Sequence, residues 1–133
     1  MQNNLKLHHI GYAVPDIKTT AKEFEKLGFL QKETLYDEAL TVELCYLEKD
    51  GTIIELVCQK NPESLEAQLI NRGGIMPYHL CFSCGDIFAS VKELENDGYE
   101  KLFEPVEVKA LNGKKICYLY KKKSATWNWW KND

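Results

Sequence analysis

The apolar positions of this chain change period in the same order twice. Leu7–Val14 alternates loosely between apolar and polar residues and is rich in strand formers, which predicts a strand. Pro15-Asp16 breaks it, and Asp16 stands where a helix N-cap belongs. Ile17, Ala21 and Phe24 recur at i, i+4 and i+7, one face of a helix, and Gly28 supplies a C-terminal stop. Three strand-like runs follow, Phe29–Leu35, Leu40–Glu48 and Thr52–Cys58, with Lys49-Asp50-Gly51 as a hairpin turn. Asp86, Ile87, Val91, Leu94 and Gly98 then repeat the cap, the apolar face and the stop. Runs at Tyr99–Phe103, Lys114–Lys121 and Ala125–Trp130 repeat the strands, with a turn at Leu111-Asn112-Gly113. The connecting stretch Pro62–Gly74 carries a short helix prediction over Ser64–Ile70, ended by Arg72-Gly73-Gly74.

The repetition extends to individual residues. His9-Ile10-Gly11-Tyr12-Ala13-Val14-Pro15-Asp16-Ile17 aligns with His79-Leu80-Cys81-Phe82-Ser83-Cys84-Gly85-Asp86-Ile87, and the match continues without a gap through Gly28/Gly98. A fixed offset means one supersecondary unit used twice. The expected fold class is therefore α+β. Two pseudo-symmetric βαβββ modules would form one curved, mostly antiparallel eight-stranded sheet around a cavity, with helices on its convex side. Residues 1–133 form a single domain in this reading, with module 1 at about 5–60, a linker at 61–75 and module 2 at about 76–131.

Composition adds mainly exclusions. At 133 residues with 44% hydrophobic and 28% charged content, the chain is an ordinary globular domain. A net charge of −3 gives no electrostatic case for nucleic acid. No apolar run is long enough for a membrane span, and Met1-Gln2-Asn3-Asn4-Leu5-Lys6 lacks the apolar core of a signal peptide. Five cysteines without framework spacing fit a reducing, cytoplasmic setting. Cys81-Phe82-Ser83-Cys84 has redox-motif spacing but falls in a predicted strand, whereas a reactive pair needs its first Cys at a helix N-terminus.

Strand parity locates candidate chemistry. His9 shares a face with Gly11 and Ala13, and His79 with Cys81 and Ser83, small neighbours suited to a cavity wall. Glu55 is a lone carboxylate in the apolar run Thr52-Ile53-Ile54-Glu55-Leu56-Val57, and a buried carboxylate must be paired or bind a metal. Two His and one Glu make a divalent-metal set with open positions. Hydrogen-bonded packing histidines and an edge-exposed Glu55 are the alternative reading.

On these segments the chain resembles the vicinal oxygen chelate superfamily, which includes glyoxalase I, methylmalonyl-CoA epimerase, extradiol dioxygenases and bleomycin-resistance proteins. The resemblance rests on Leu7–Asp16, Ile54–Val57, Pro77–Cys81 and Asn112–Leu119. Ser64, Leu69-Ile70, Arg72-Gly73-Gly74 and the Asn-Gly-Lys-Lys strand are similar to the epimerase branch. The resemblance implies His9, Glu55 and His79 as metal ligands. It places Asn128 of Ala125–Trp130 at the fourth position, usually a Glu, as a weak or absent ligand and the pseudo-symmetry partner of Glu55. An amide cannot serve as a base; Glu43 in Val42-Glu43-Leu44 is then one candidate catalytic base, with an exposed surface Glu as the favoured alternative reading. The same parity puts Trp130 and Cys81 at the substrate pocket, with Trp127 and Trp129 toward the helices; the favoured alternative is that all three tryptophans pack the end of the domain or a dimer contact. Lys121-Lys122-Lys123 is either a phosphate-holding run or a solvated turn.

The implied function is a divalent-metal-dependent isomerase or lyase acting next to a carbonyl. The metal would be Ni, Co, Zn, Mn or Fe(II), and the substrate a small molecule of the acyl-CoA or hemithioacetal type. No nucleic-acid or membrane partner is expected, and a homodimer is left open because small domains of this superfamily often pair. The rival is a non-catalytic small-molecule binder or resistance protein using the same cavity.

Overall fold

A computed structural model describes residues 5–38, 41–121 and 126–132, with 110 and 126–132 in backbone only. The chain divides into two compact units. One is His9–Tyr78, and the other is His79–Asp133 together with Met1–His8. The expected α+β class holds in both.

In the first unit, β1 (Lys6–Ala13, entering from the other unit), α1 (Ile17–Lys26), β2 (Leu30–Asp37), β3 (Val42–Lys49), β4 (Thr52–Gln59) and α2 (Leu65–Gly73) follow in order. Strand order is β2-β3-β4-β1. β4 runs parallel to β1 and antiparallel to β3. Alternation divides the apolar residues between two faces. Cys45, Leu47, Ile54, Leu56 and Cys58 bury with Ile17 and Ala21 of α1. Ala13, Val42, Leu44 and Val57 bury on the other face with Tyr78, and Leu65, Leu69 and Ile70 of α2 pack against them.

In the second unit, β5 (Met76–Cys84), α3 (Ile87–Asn96), β6 (Glu100–Lys101), β7 (Val106–Val108), a 3-10 turn (Lys109–Leu111), β8 (Lys114–Lys121) and β9 (Thr126–Asn132) follow. Strand order is β5-β9-β8-β6, with β7 also paired to β8. Cys84, Ile87, Val91, Leu94, Cys117 and Leu119 form the core, flanked by Leu5, Phe82 and Tyr99. Four strands were expected here, and the described residues form five. The expected strand Tyr99–Phe103 shortens to two residues, and pairing resumes only at Val106. Pro105 lies in the gap, where it has no N–H for a ladder.

The two helix starts and stops are copies of each other. Asp16 accepts from the Thr19 backbone N–H at 2.9 Å, and Asp86 from that of Ala89 at 3.1 Å. The Thr19 hydroxyl and N–H hold the Asp16 carboxyl below its ordinary pKa. Gly28 and Gly98 take φ of 95° and 98°, which lets Phe29 and Tyr99 bond back to Phe24 and Leu94. The Asp50-Gly51 turn has φ of 52° and 82°, the positive pair a tight hairpin requires. The linker helix forms, but it runs on past the expected end at Ile70 to Gly73, and it is capped by Ser64 accepting from Ala67 at 3.1 Å. Among the described residues no helix is long and apolar enough to cross a membrane.

All five cysteines are free and buried. Cys81 and Cys84 fall an odd number apart on β5 and so lie on opposite faces of the sheet, which removes the redox-pair geometry. Burial pushes the thiols of Cys45 and Cys58 up, and that of Cys117 up to about 11. Native protein should therefore be nearly inert to an aromatic disulfide reagent at neutral pH and release five equivalents in denaturant. A release of three would reveal a disulfide and contradict the arrangement.

Candidate active site

In the first unit His9 and Glu55 meet on one face. β1 and β4 are in parallel register with Gly11 opposite Glu55, so His9 lies two residues back on the same side. The His9 Nε2 to Glu55 Oε1 distance is 3.3 Å, and both side chains are almost fully buried (1% and 0% exposed). β3 contributes Tyr46, opposite Glu55 in register, with its ring edge-on to His9 at 5.6 Å between centroids. Donor atoms bound to one ion at about 2.0–2.2 Å stand roughly 3 Å apart. The buried nitrogen–oxygen pair fits that requirement, and imidazole with carboxylate suits a divalent metal.

The second unit carries a related arrangement. His79 is 3% exposed, and its ring stands 5.8 Å from that of Tyr118. Tyr46 and Tyr118 occupy matching places in Leu44-Cys45-Tyr46-Leu47 and Ile116-Cys117-Tyr118-Leu119. The sequence reading missed both tyrosines, although this second repeat, at an offset of 72 residues (46 to 118), signals them.

In the last strand only the backbone register is described. Glu55 stands opposite the residue two after His9. The residue two after His79 is Cys81, and its partner in β9 is Trp129, which also pairs with Tyr118. In backbone register Trp129 holds the place that Glu55 holds in the first unit. Asn128 stands opposite Leu80 and Leu119, and Trp130 opposite Phe82 and Cys117. Leu119, Cys117 and Phe82 belong to the α3-side core. The side chains of Asn128, Trp127, Trp129 and Trp130 lie outside the described residues. Cys81 does stay on the His79 row, fully buried.

Glu43 is displaced from the role expected of it. It lies opposite Cys58 and in phase with Cys45 and Leu47, on the α1 face. There it pairs with Lys60 at 3.8 Å and lines a cavity of about 460 Å³ with Asp16, Lys22, Glu25 and Thr34. Alternation turns it away from the His9–Glu55 face, so it is no base for chemistry there. Of Lys121–Lys123, Lys121 sits 5.4 Å from the centre of the Tyr99 ring, and Lys122 and Lys123 lie outside the described residues.

One carboxyl that the sequence reading passed over stands on the Glu55 face. Glu66 is in the first turn of α2, half-buried, and accepts a hydrogen bond from the Tyr78 hydroxyl. Burial pushes its pKa up. Its own backbone N–H and Tyr78 offset part of the rise, and the charge of Glu55 adds to it. Helical spacing held the clue: Leu69 and Ile70, at i+3 and i+4 from Glu66, are the residues that α2 lays on the core.

The chain belongs to the glyoxalase/bleomycin resistance protein/dioxygenase superfamily, whose sequence profile matches residues 8–118. No curated protein sequence matches it. Among solved structures, a hypothetical protein from Bacillus halodurans aligns with a TM-score of 0.86 at 22% identity, covering 98% of this chain and 96% of that one. Methylmalonyl-CoA epimerase from Mycobacterium tuberculosis aligns at 0.82 and 18% identity, covering 95% and 86%. A Streptomyces coelicolor methylmalonyl-CoA epimerase variant in complex with 2-nitronate-propionyl-CoA aligns at 0.82 and 20%, covering 96% of each chain. These likenesses establish the shared fold.

The raised pKa of Glu66 has a consequence for stability. Between its ordinary value and its raised one, the folded chain keeps a proton that the unfolded chain has lost. Stability therefore falls as pH rises through that window. Glu66→Gln, which still offers Tyr78 an acceptor, should raise the melting temperature near pH 7, and the gain should vanish below about pH 4. An equal effect at both pH values in thermal denaturation would contradict this.

Proposed function

We propose that this chain is a divalent-metal-dependent enzyme that moves a proton on the carbon next to a carbonyl, with an acyl thioester as its substrate class. The observation that carries the reading is the buried His9–Glu55 pair, a carboxylate and an imidazole at ligand spacing. His79, the repeat equivalent of His9, is the third ligand that the superfamily resemblance implies. A divalent ion held by these three would act as a Lewis acid on the substrate carbonyl and lower the cost of an enolate. Glu55 supplies the negative charge of the set, and the two tyrosine rings wall the histidines. Support for the substrate class comes from the epimerase neighbours, one of them in complex with methylmalonyl-CoA and another with 2-nitronate-propionyl-CoA.

A second reading is a binding protein without catalysis. It is favoured by Trp129 at the register position equivalent to Glu55, because an indole offers neither a ligand nor a base.

Calorimetric titration of metal-free protein with nickel, cobalt, zinc and iron(II) tests the proposal. One ion should bind per chain, and His79→Ala or Glu55→Gln should weaken it by at least about 10–100-fold, the loss seen even for groups that only support ligands. Equal affinity in wild type and both variants would sink the metal reading.

A further inference from the structure

We propose that Phe103, with Leu102 and Val106 beside it, is the specificity-determining wall on the His79 side of the site: it receives the hydrocarbon end of an acyl group whose carbonyl lies at His79. The inference rests on the proposed function and deepens it by naming the kind of acyl group. Leu102, Phe103 and Val106 are large, apolar and exposed, at 43%, 38% and 39%. They lie on one side of the second unit. On β8, Cys117 and Leu119 face the α3 core, so the alternate residues Ile116 and Tyr118 face the other way. The ring contact between Tyr118 and His79 marks that face as the histidine side. Val106 stands opposite Ile116 and shares its side. Lys101 stands opposite Leu119 and reaches Glu95 of α3 at 3.7 Å. Leu102, the next residue, turns to the Tyr118 side, and its N–H donates to the Tyr118 carbonyl at 2.9 Å.

Ring contacts carry this patch to the histidine. The Phe103 ring stands 5.7 Å from that of Tyr118, tilted by 33°, and the Tyr118 ring stands 5.8 Å from that of His79. Exposure falls along the row, from Phe103 at the rim through half-buried Tyr118 to buried His79. The rim is held in place at two points on β8. Besides the Leu102 N–H, the Phe103 carbonyl accepts from the Cys117 thiol at 3.2 Å. An exposed apolar patch joined to a buried polar group suits a ligand with one polar and one hydrocarbon end. With the acyl carbonyl at His79, the rest of the acyl group runs outward over Tyr118 and Phe103. Aromatic and aliphatic side chains there gain by covering hydrocarbon and give a carboxylate no partner. The preferred substrate therefore carries a hydrocarbon chain rather than a second carboxylate.

The test is calorimetric titration of acetyl-, butyryl- and hexanoyl-CoA into metal-free and zinc-loaded protein, for wild type, Phe103→Ala, Phe103→Leu and Phe88→Ala. Wild-type affinity should rise by about 10-fold or more from acetyl to hexanoyl, since each fully buried methylene adds about 4-fold. Phe103→Ala should remove most of that rise and leave the acetyl-CoA and zinc affinities at their wild-type values. Phe103→Leu, still apolar, should keep part of the rise. Phe88 is as exposed an aromatic residue on the α3 side, with Lys115 over its ring, and Phe88→Ala should keep all of it. An equal rise in Phe103→Ala and wild type would overturn the inference, and so would no rise in wild type. An equal loss in Phe88→Ala would also overturn it, because apolar contact anywhere on the surface would then suffice. If Phe103→Ala spared the acyl series but turned a dimer into a monomer in sedimentation, the patch would belong to a second copy and the inference would fall. A wild type that binds no zinc would contradict the proposed function, while the acyl series on metal-free protein would still decide the wall.

Discussion

A carboxylate with no solvent exposure is the constraint around which the first unit is arranged. Glu55 sits in the middle of β4, flanked by Ile54 and Leu56 that belong to the α1-side core. Burying that charge without compensation costs several kcal/mol, far more than one apolar side chain at the same place would contribute. The fold retains it by setting His9 at 3.3 Å and Tyr46 directly across the sheet. β1 must run parallel to β4 in a fixed register to do this, since a slip of one residue would send His9 to the α1 side. The pairing of strands, the small residues Gly11 and Ala13 beside His9, and the placement of α2 over the same face all follow from accommodating one polar cluster in a buried sheet.

The duplicated architecture gives each unit a related arrangement, and the two arrangements have diverged. Each unit presents a histidine on its first strand and a tyrosine two strands away in the sheet. Only one unit keeps the carboxylate. In the other, the equivalent register position is Trp129. The asymmetry concentrates the negative charge of the proposed centre on Glu55 and removes the last-strand carboxylate that a symmetric acid–base pair would use.

Much of this was legible in the sequence, for physical reasons that also mark where it stopped being legible. The histidines were found because the first strand and helix repeat without a gap, so errors of register could not accumulate between them. Glu55 stood out because a charge amid apolar residues is anomalous wherever it falls. The last strand is harder to read because the backbone offset between the units grows as the chain proceeds: 70 residues at His9/His79, 72 at Tyr46/Tyr118 and 74 at Glu55/Trp129. A strand has period 2, so an uncertainty of one residue exchanges Asn128 and Trp130 for Trp129. Glu43 escaped for a related reason: parity fixes its face only once the Tyr46 strand is anchored by its own repeat. Glu66 was hidden because a helix position gains meaning only from what the helix covers.

The most direct test of the central claim is the X-ray absorption fine structure of the zinc-loaded protein. The account predicts a first shell of nitrogen and oxygen only, at about 2.0–2.2 Å, with the outer-shell scattering of two imidazoles. The oxygen contribution should change in Glu55→Gln. A sulfur shell at about 2.3 Å would place a cysteine on the metal and contradict a centre built from His9, Glu55 and His79.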